Sequence, residues 1–332
     1  MIEEQQVFEV KEEKKRNIFK EIFSYIWNNL RFLFVPAYIP EELLERRRAY
    51  EMKKSKRKFL RRLKSTLTIF GILLIFLVVT LAVFAPWIST YDFDTLIGFK
   101  WDAWRPPSPT HPLGTTEHGR DVLGRMIFGA RSSLIIALPA LIFAVFFGII
   151  VGVVSAYFGG WVDAILMRIM DIFFAFPSII LILVFVSIFG LQVQYFMLAY
   201  GLLGIAGYSR LIRGSVLQAK ELPYVKAAKV AGAGNWRMMF KHIFPNTFQP
   251  VLISFTFDIG GIILSLAGLS FLGYSDNRLI EWGNDIATGR YQLYSAPWAA
   301  LMPGFMILIT VLGFMLVGDG LRDALDPRMK NL

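Results

Sequence analysis

Asp258 stands alone in the apolar run Phe248–Leu272, where an ionisable side chain costs about 2.5 to 3.5 kcal/mol unless it faces a bundle interior or water. It is expected to face inward, either as a pathway or helix-contact residue or as a hydrogen-bonded structural carboxylate. His111 and His118 lie seven residues apart with no third ligand nearby, so they read as loop residues and no metal is assigned. Gly-x-x-x-x-Gly-Lys-Ser/Thr, His-Glu-x-x-His and Gly-x-Ser-x-Gly are all absent. The chain therefore lacks the backbone cradle and Lys that grip ATP phosphates, the zinc-hydrolase pair and the serine elbow. With no Cys and three His, thiolate metal sites, disulfides and cysteine nucleophiles drop out as well. No catalytic residue and no cofactor is expected on this chain.

The stretch with the most chemical content is Glu221–Pro245. Pro223 suits a helix start, Tyr224–Ala231 is Ala-rich and compact, and Gly232 and Gly234 permit a turn. Asn235 can cap a second helix, Trp236–His242, which Pro245 ends. Small residues at Ala227, Ala228 and Gly232 would let one helix enter a partner's cleft closely. Trp236, Met238, Met239 and Phe240 are apolar anchors that either engage a partner or pack on the chain's own helices.

The elements that must carry these residues are set by composition. Hydrophobic residues make up 55% of the 332 residues and charged ones 18%, and the mean hydropathy is +0.52, which describes a membrane protein rather than a water-soluble one. A bilayer core needs about 20 apolar residues per helix, and six segments qualify: Thr66–Ile88, Ser133–Phe158, Ala164–Gly190, Tyr195–Val216, Phe248–Leu272 and Trp298–Gly318. The third carries Arg168, Asp171 and Pro177, so its charges are placed at the interface and Pro177 is expected to kink it. Arg210 and Arg213 end the fourth and are read as interface charges. Arg322, Asp323 and Asp326 are read as caps of the terminal helix.

The formal charge of +10 points to nucleic acid only if the basic residues form a groove. Instead, Glu41–Lys64 holds eleven Lys/Arg against four Glu, directly before the first span. Positive charge stays in the cytoplasm, which places both termini inside. The segment Ser209–Phe248, with seven Lys/Arg and one acid, falls on the same side. The first span begins after 65 residues and is full length, so it is expected to stay as an anchor rather than be cleaved. Before it, Phe19, Ile22, Phe23, Ile26, Trp27 and Leu30 fall at helical spacing beside basic residues and read as an interfacial helix.

The spacing Ala227-Ala228, Gly232, then Pro245 thirteen residues on resembles the EAA-type loop of ABC importer permeases. HPLGTTEHGRDVLGRMIFGARSSL (His111–Leu134), LSFLGY (Leu269–Tyr274), EWGNDI (Glu281–Ile286) and GDGLRDALDPR (Gly318–Arg328) resemble the C-type permease of dipeptide and oligopeptide importers, over about residues 66–328. The resemblance implies an all-α integral membrane protein of the type I importer fold, with six transmembrane helices: a five-helix core plus an N-terminal helix. Together with the basic run before the first span, it divides the chain into a basic arm (1–65) that the resemblance does not cover, a first span with its external loop (66–130) and the permease domain (131–328). It implies ATPase docking through Tyr224, Lys226, Ala227, Ala228, Gly232, Trp236, Phe240 and Pro245. It also implies an outer role, at the gate or toward a binding protein, for Arg120, Asp121 and Arg125, for which a self-satisfied salt-bridged loop is the alternative. The implied partners are a second related permease, two ATP-binding subunits that hold the ATP and Mg, an external or periplasmic solute-binding protein and the lipid membrane, with no nucleic acid. Lys226 stands where the motif usually has Glu, His242 at an Ile position and Phe244 for the Leu of a Leu-Pro pair. Lys226 is therefore expected to meet an acid on the ATPase.

The expected function is a permease subunit of an ATP-driven importer, forming half of a pathway for di- and oligopeptides. The alternatives are the same machinery carrying oligosaccharides or other solutes, and a proton-coupled secondary transporter with Asp258 as relay, for which neither inverted repeats nor broken helices are evident in the sequence.

Overall fold

A computed structural model describes residues 45, 63–98, 102–276 and 278–325. The expected interfacial helix, nearly all of the basic arm and Asp326 lie outside the described residues. The account below concerns the compact unit Arg62–Leu332.

The described chain is helical, with one isolated antiparallel bridge between Thr115 and Asp121. In order it forms α1 (Thr66–Val83), α2 (Ala85–Ile88), α3 (Phe93–Ile97), α4 (Val122–Phe158), α5 (Gly160–Phe174), α6 (Ser178–Phe189) and α7 (Val193–Lys220). There follow α8 (Pro223–Val230), α9 (Asn235–Arg237), a π-helical turn (Met238–Ile243), α10 (Phe244–Thr247), α11 (Gln249–Phe271), α12 (Trp282–Gly289) and α13 (Trp298–Leu325). Five of these, α1, α4, α7, α11 and α13, are long and apolar enough to cross a membrane, and α5 with α6 makes a sixth if the bent pair is one span. In lipid the helix is the stable fate of such runs, because every backbone polar group is satisfied within the segment.

The third span is broken rather than kinked: α5 and α6 meet at 82°. Pro177 has no N–H to continue the ladder, so it serves as the N-cap of α6 with an extended ψ of 130°. The second span also differs from its expected start at Ser133. Its helix begins eleven residues earlier at Val122, where Asp121 caps it by accepting the Gly124 N–H at 2.7 Å. Those added turns are buried against other parts of the protein, so hydropathy alone did not mark them.

Close packing explains the glycines. α4 lies along α7, and Gly148 and Gly152, four residues apart on one face, are the contact points: a Cβ on Gly148 would come 2.5 Å from Tyr208 Cβ, and one on Gly152 would come 2.5 Å from the Ser209 carbonyl oxygen. Small residues let helix backbones approach where lipid supplies no hydrophobic drive between helices. α1 meets α13 in the same way, with a Cβ on Gly71 falling 2.7 Å from Leu316 Cβ. Phe70, Leu73 and Phe76 of α1 are left exposed, as suits a lipid-facing side.

Candidate functional site

The loop between α7 and α11 folds as a knob. Pro223 occupies the first turn of α8, where its missing N–H costs nothing. After α8 the chain reverses through Gly232 at φ +81°, a left-handed conformation that a side chain would strain. The second half is one continuous run from α9 through the π turn into α10. Pro245 therefore does not end it: the Phe244 N–H reaches back five residues to the Met239 carbonyl. This wider turn accommodates the proline that could not join an α ladder.

Nor does Asn235 cap the second helix. Gly234 is the cap residue, without a side-chain bond, and the Asn235 Oδ1 instead accepts the Tyr157 hydroxyl at 2.8 Å. That bond ties the knob to the end of α4. Lys220, at the end of α7, donates to the Tyr157 carbonyl at 2.8 Å. Arg213 grips Asp163 of α5 with two hydrogen bonds of 2.7 and 2.6 Å. Arg210 pairs with Asp171 and lies 3.8 Å from the centre of the Phe174 ring. Both arginines thus join α7 to α5, where the sequence marked only interface charges.

The knob's apolar residues divide between two fates. Val225, Met238, Met239 and Ile243 are buried in the core, so the two methionines pack on the chain itself. Val230, at 90% exposure, and Trp236, at 73%, point outward. Tyr224, Lys226, Ala227, Gly232 and Pro245 are exposed beside them, and Ala228 and Phe240 are half-buried. Trp236, Phe240, Phe244 and Phe248 follow one another at helical spacing with ring centroids 4.3, 6.5 and 5.3 Å apart. The row runs from the exposed Trp236 to the start of α11. Lys226 finds an acid within its own chain, Glu221, at 3.1 Å.

Inside the helices lies a cavity of about 430 Å³. Ser178 and Ile179 at the start of α6, Tyr200 and Tyr208 of α7, and Ser254 and Asp258 of α11 line it. The break at Pro177 thus delivers a helix start to the cavity wall. Asp258 faces inward as expected, and its carboxylate accepts the hydroxyl of Tyr208, a partner that the sequence did not suggest.

Arg120, Asp121 and Arg125 occupy the other end of α4. Arg125 is 2% exposed, and its Nε donates to both Asp285 oxygens at 2.8 and 3.0 Å while Nη1 reaches the Leu96 carbonyl at 2.8 Å. Asp121 caps α4 and meets His111 Nδ1 at 3.0 Å, and Arg120 Nε donates to the Gly98 carbonyl at 2.8 Å. These charges are committed to internal contacts. Through Asp285, Arg125 holds α12, whose Trp282 indole donates to the Met126 carbonyl at 3.1 Å.

Beside Asp285 lies Glu281, 4% exposed and bonded to the Ser270 hydroxyl. Burial pushes its carboxyl up to about 7; the Ser270 bond opposes this, and the nearby Asp276 and Asp285 add to it. Burial acts on Asp276 in the same upward sense, but hydrogen bonds from Arg278 and the Val193 N–H outweigh it and hold that carboxyl below the usual range.

Membrane-length helices around an internal cavity, with an exposed knob tied to the cavity helices, define a membrane transport subunit. The chain belongs to the family described as binding-protein-dependent transport system inner membrane component, which matches residues 144–331. It is 38% identical over 269 residues to the dipeptide transport system permease protein of Alkalihalophilus pseudofirmus, covering 81% of this chain and 88% of that one. It is 36% identical over 278 residues to the glutathione transport system permease protein of Pectobacterium atrosepticum, covering 83% and 92%. It is 37% identical over 265 residues to the oligopeptide transport system permease protein of Bacillus subtilis, covering 80% and 86%. The protein is a permease subunit of an ABC importer.

Proposed function

We propose that this subunit forms half of the pathway for di- or oligopeptides, working with a second permease, two ATPase subunits that hold ATP and Mg, and an external solute-binding protein. The observation that carries the coupling role is the knob. Val230 and Trp236 stand exposed on it, while the Tyr157–Asn235 bond fastens it to α4, which the Lys220–Tyr157 bond joins to α7, and both helices wall the cavity. Closure of the ATPases would move such a knob as a rigid piece, and α4 and α7 would carry the displacement to the cavity as alternating access. Peptides are favoured as cargo because two of the relatives above are named for di- and oligopeptide transport and the third for glutathione, itself a peptide.

In this reading the knob and both termini are cytoplasmic, and the stretch from Tyr274 to Ser295 is external. The chain has no native Cys, so single cysteines at Val230 and Tyr294 test the orientation with a membrane-impermeant maleimide. Labelling of Tyr294→Cys but not Val230→Cys in intact cells is expected, and the reverse pattern overturns it. The function itself is tested by purifying the chain from its native membrane in mild detergent. Co-purifying ATPases and ATP-driven peptide uptake after reconstitution are expected. A lone chain whose transport follows a proton gradient would refute the reading.

A further inference from the structure

Asp258 is the sole charged residue among those lining the cavity, and no Lys, Arg or His joins it there among the described residues. Its carboxylate accepts one side-chain hydrogen bond, from Tyr208, and no ion pair involves it among the described residues, unlike Asp163, Asp171 and Asp285, each held by an arginine. The remaining wall is mostly Leu, Ile, Ala and Gly, with serine hydroxyls and the Tyr200 phenol. A carboxylate in an apolar cavity has lone pairs to satisfy, and a cation that sheds its water there gains more from it than it would in bulk solvent. Tyr208 is itself buried, which fixes the carboxylate on the cavity wall. The volume of about 430 Å³ admits a solute of several non-hydrogen atoms beside that carboxylate.

From this geometry we infer that Asp258, oriented by Tyr208, is a recognition point for net positive charge on the passing solute, so that the pathway itself favours cationic over anionic cargo. The inference rests on the peptide-importer reading and adds charge selection within the permease to any selection made before it. Tyr208 acts as a positioning residue and Asp258 as the binding group.

The test uses the complete transporter in proteoliposomes with saturating loaded binding protein, comparing maximal ATP-driven uptake of alanyl-lysine and alanyl-glutamate. Saturation removes differences in delivery. Wild type is expected to favour alanyl-lysine by about tenfold or more, the scale of one hydrogen bond to a charged group. Asp258→Asn should bring the ratio near one, Asp258→Glu should keep a preference, and Tyr208→Phe, which retains the carboxylate but loses the hydroxyl that orients it, should keep a smaller one. A wild-type ratio near one, or an unchanged ratio in Asp258→Asn, overturns the inference. So does equal loss of both peptides in Asp258→Asn and Tyr208→Phe, the signature of a purely structural bridge. Absence of ATP-driven uptake of either peptide by wild type would instead remove the peptide reading and the inference with it.

Discussion

The Tyr157 hydroxyl donates to Asn235 Oδ1 at 2.8 Å, joining the end of α4 to the first turn of the knob's second half. The bond is exposed, so removing it should matter more for transmission than for stability. Tyr157→Phe is expected to lower stability by no more than about 1 kcal/mol while reducing the peptide taken up per ATP hydrolysed. Parallel ATPase and uptake assays read this, and an unchanged ratio would show that the bond carries no displacement.

Gly232 offers a sharper contrast. A Cβ there meets nothing within 4 Å, yet its φ is +81°, so the cost of substitution is backbone strain rather than a clash. Gly232→Val should cost about 1–2 kcal/mol locally and deform the turn that presents Val230 and Trp236, with loss of ATP-driven uptake. Gly234→Ala, at φ −66° and equally uncrowded, should be tolerated. If the two variants behave alike, turn geometry is not what the knob requires.

Arg125 and Asp285 form a buried pair, 2% and 5% exposed at their side chains. Removing one partner leaves an uncompensated charge and should cost about 3–5 kcal/mol. Arg125→Met and Asp285→Leu together should cost much less than the sum of the two. Chemical denaturation in detergent across this double-mutant cycle measures the coupling, and simple additivity would mean that the pair is not an energetic unit.

The contact of α4 with α7 should tolerate no methyl group at Gly152. Gly152→Ala places a Cβ 2.5 Å from the Ser209 carbonyl oxygen and is expected to cost about 1–3 kcal/mol. Gly214→Ala, with nothing within 4 Å, should instead gain up to about 1 kcal/mol of helix propensity. Thermal unfolding of the two variants decides it.

Glu281 makes stability depend on pH. Its folded carboxyl titrates at about 7 against an ordinary value of 4.5, so between those values the folded state holds the proton more tightly than the unfolded state. Stability should therefore fall as pH rises from about 4.5 through about 7, by roughly 3 kcal/mol at most. Glu281→Gln should flatten that dependence and raise the melting temperature at pH 8 more than at pH 5. A wild-type profile that is flat across this range would count against the buried neutral acid.

Much of this protein is legible in the order of its residues. Apolar runs of membrane length have one stable fate in lipid, so five continuous spans and the existence of a sixth apolar segment follow from hydropathy. The Pro223 helix start and the Gly232 reversal follow from backbone rules that act within a few residues. The knob's motif spacing and the terminal GDGLRDALDPR pointed to the family for the same local reason: they can be read without knowing what lies beside them.

What tertiary structure decided is partner choice. Asp258 meets Tyr208 from 50 positions away, and Arg125 meets Asp285 from 160. Such pairs depend on how each helix is rotated and how far it slides along its neighbour, which composition does not encode. The 82° break at Pro177, the early start of α4 and the inward turn of Met238 and Met239 share that cause. Proline limits what a helix can do, and hydropathy says that a residue prefers burial, but only the packed neighbours determine the bend taken and the face that is covered.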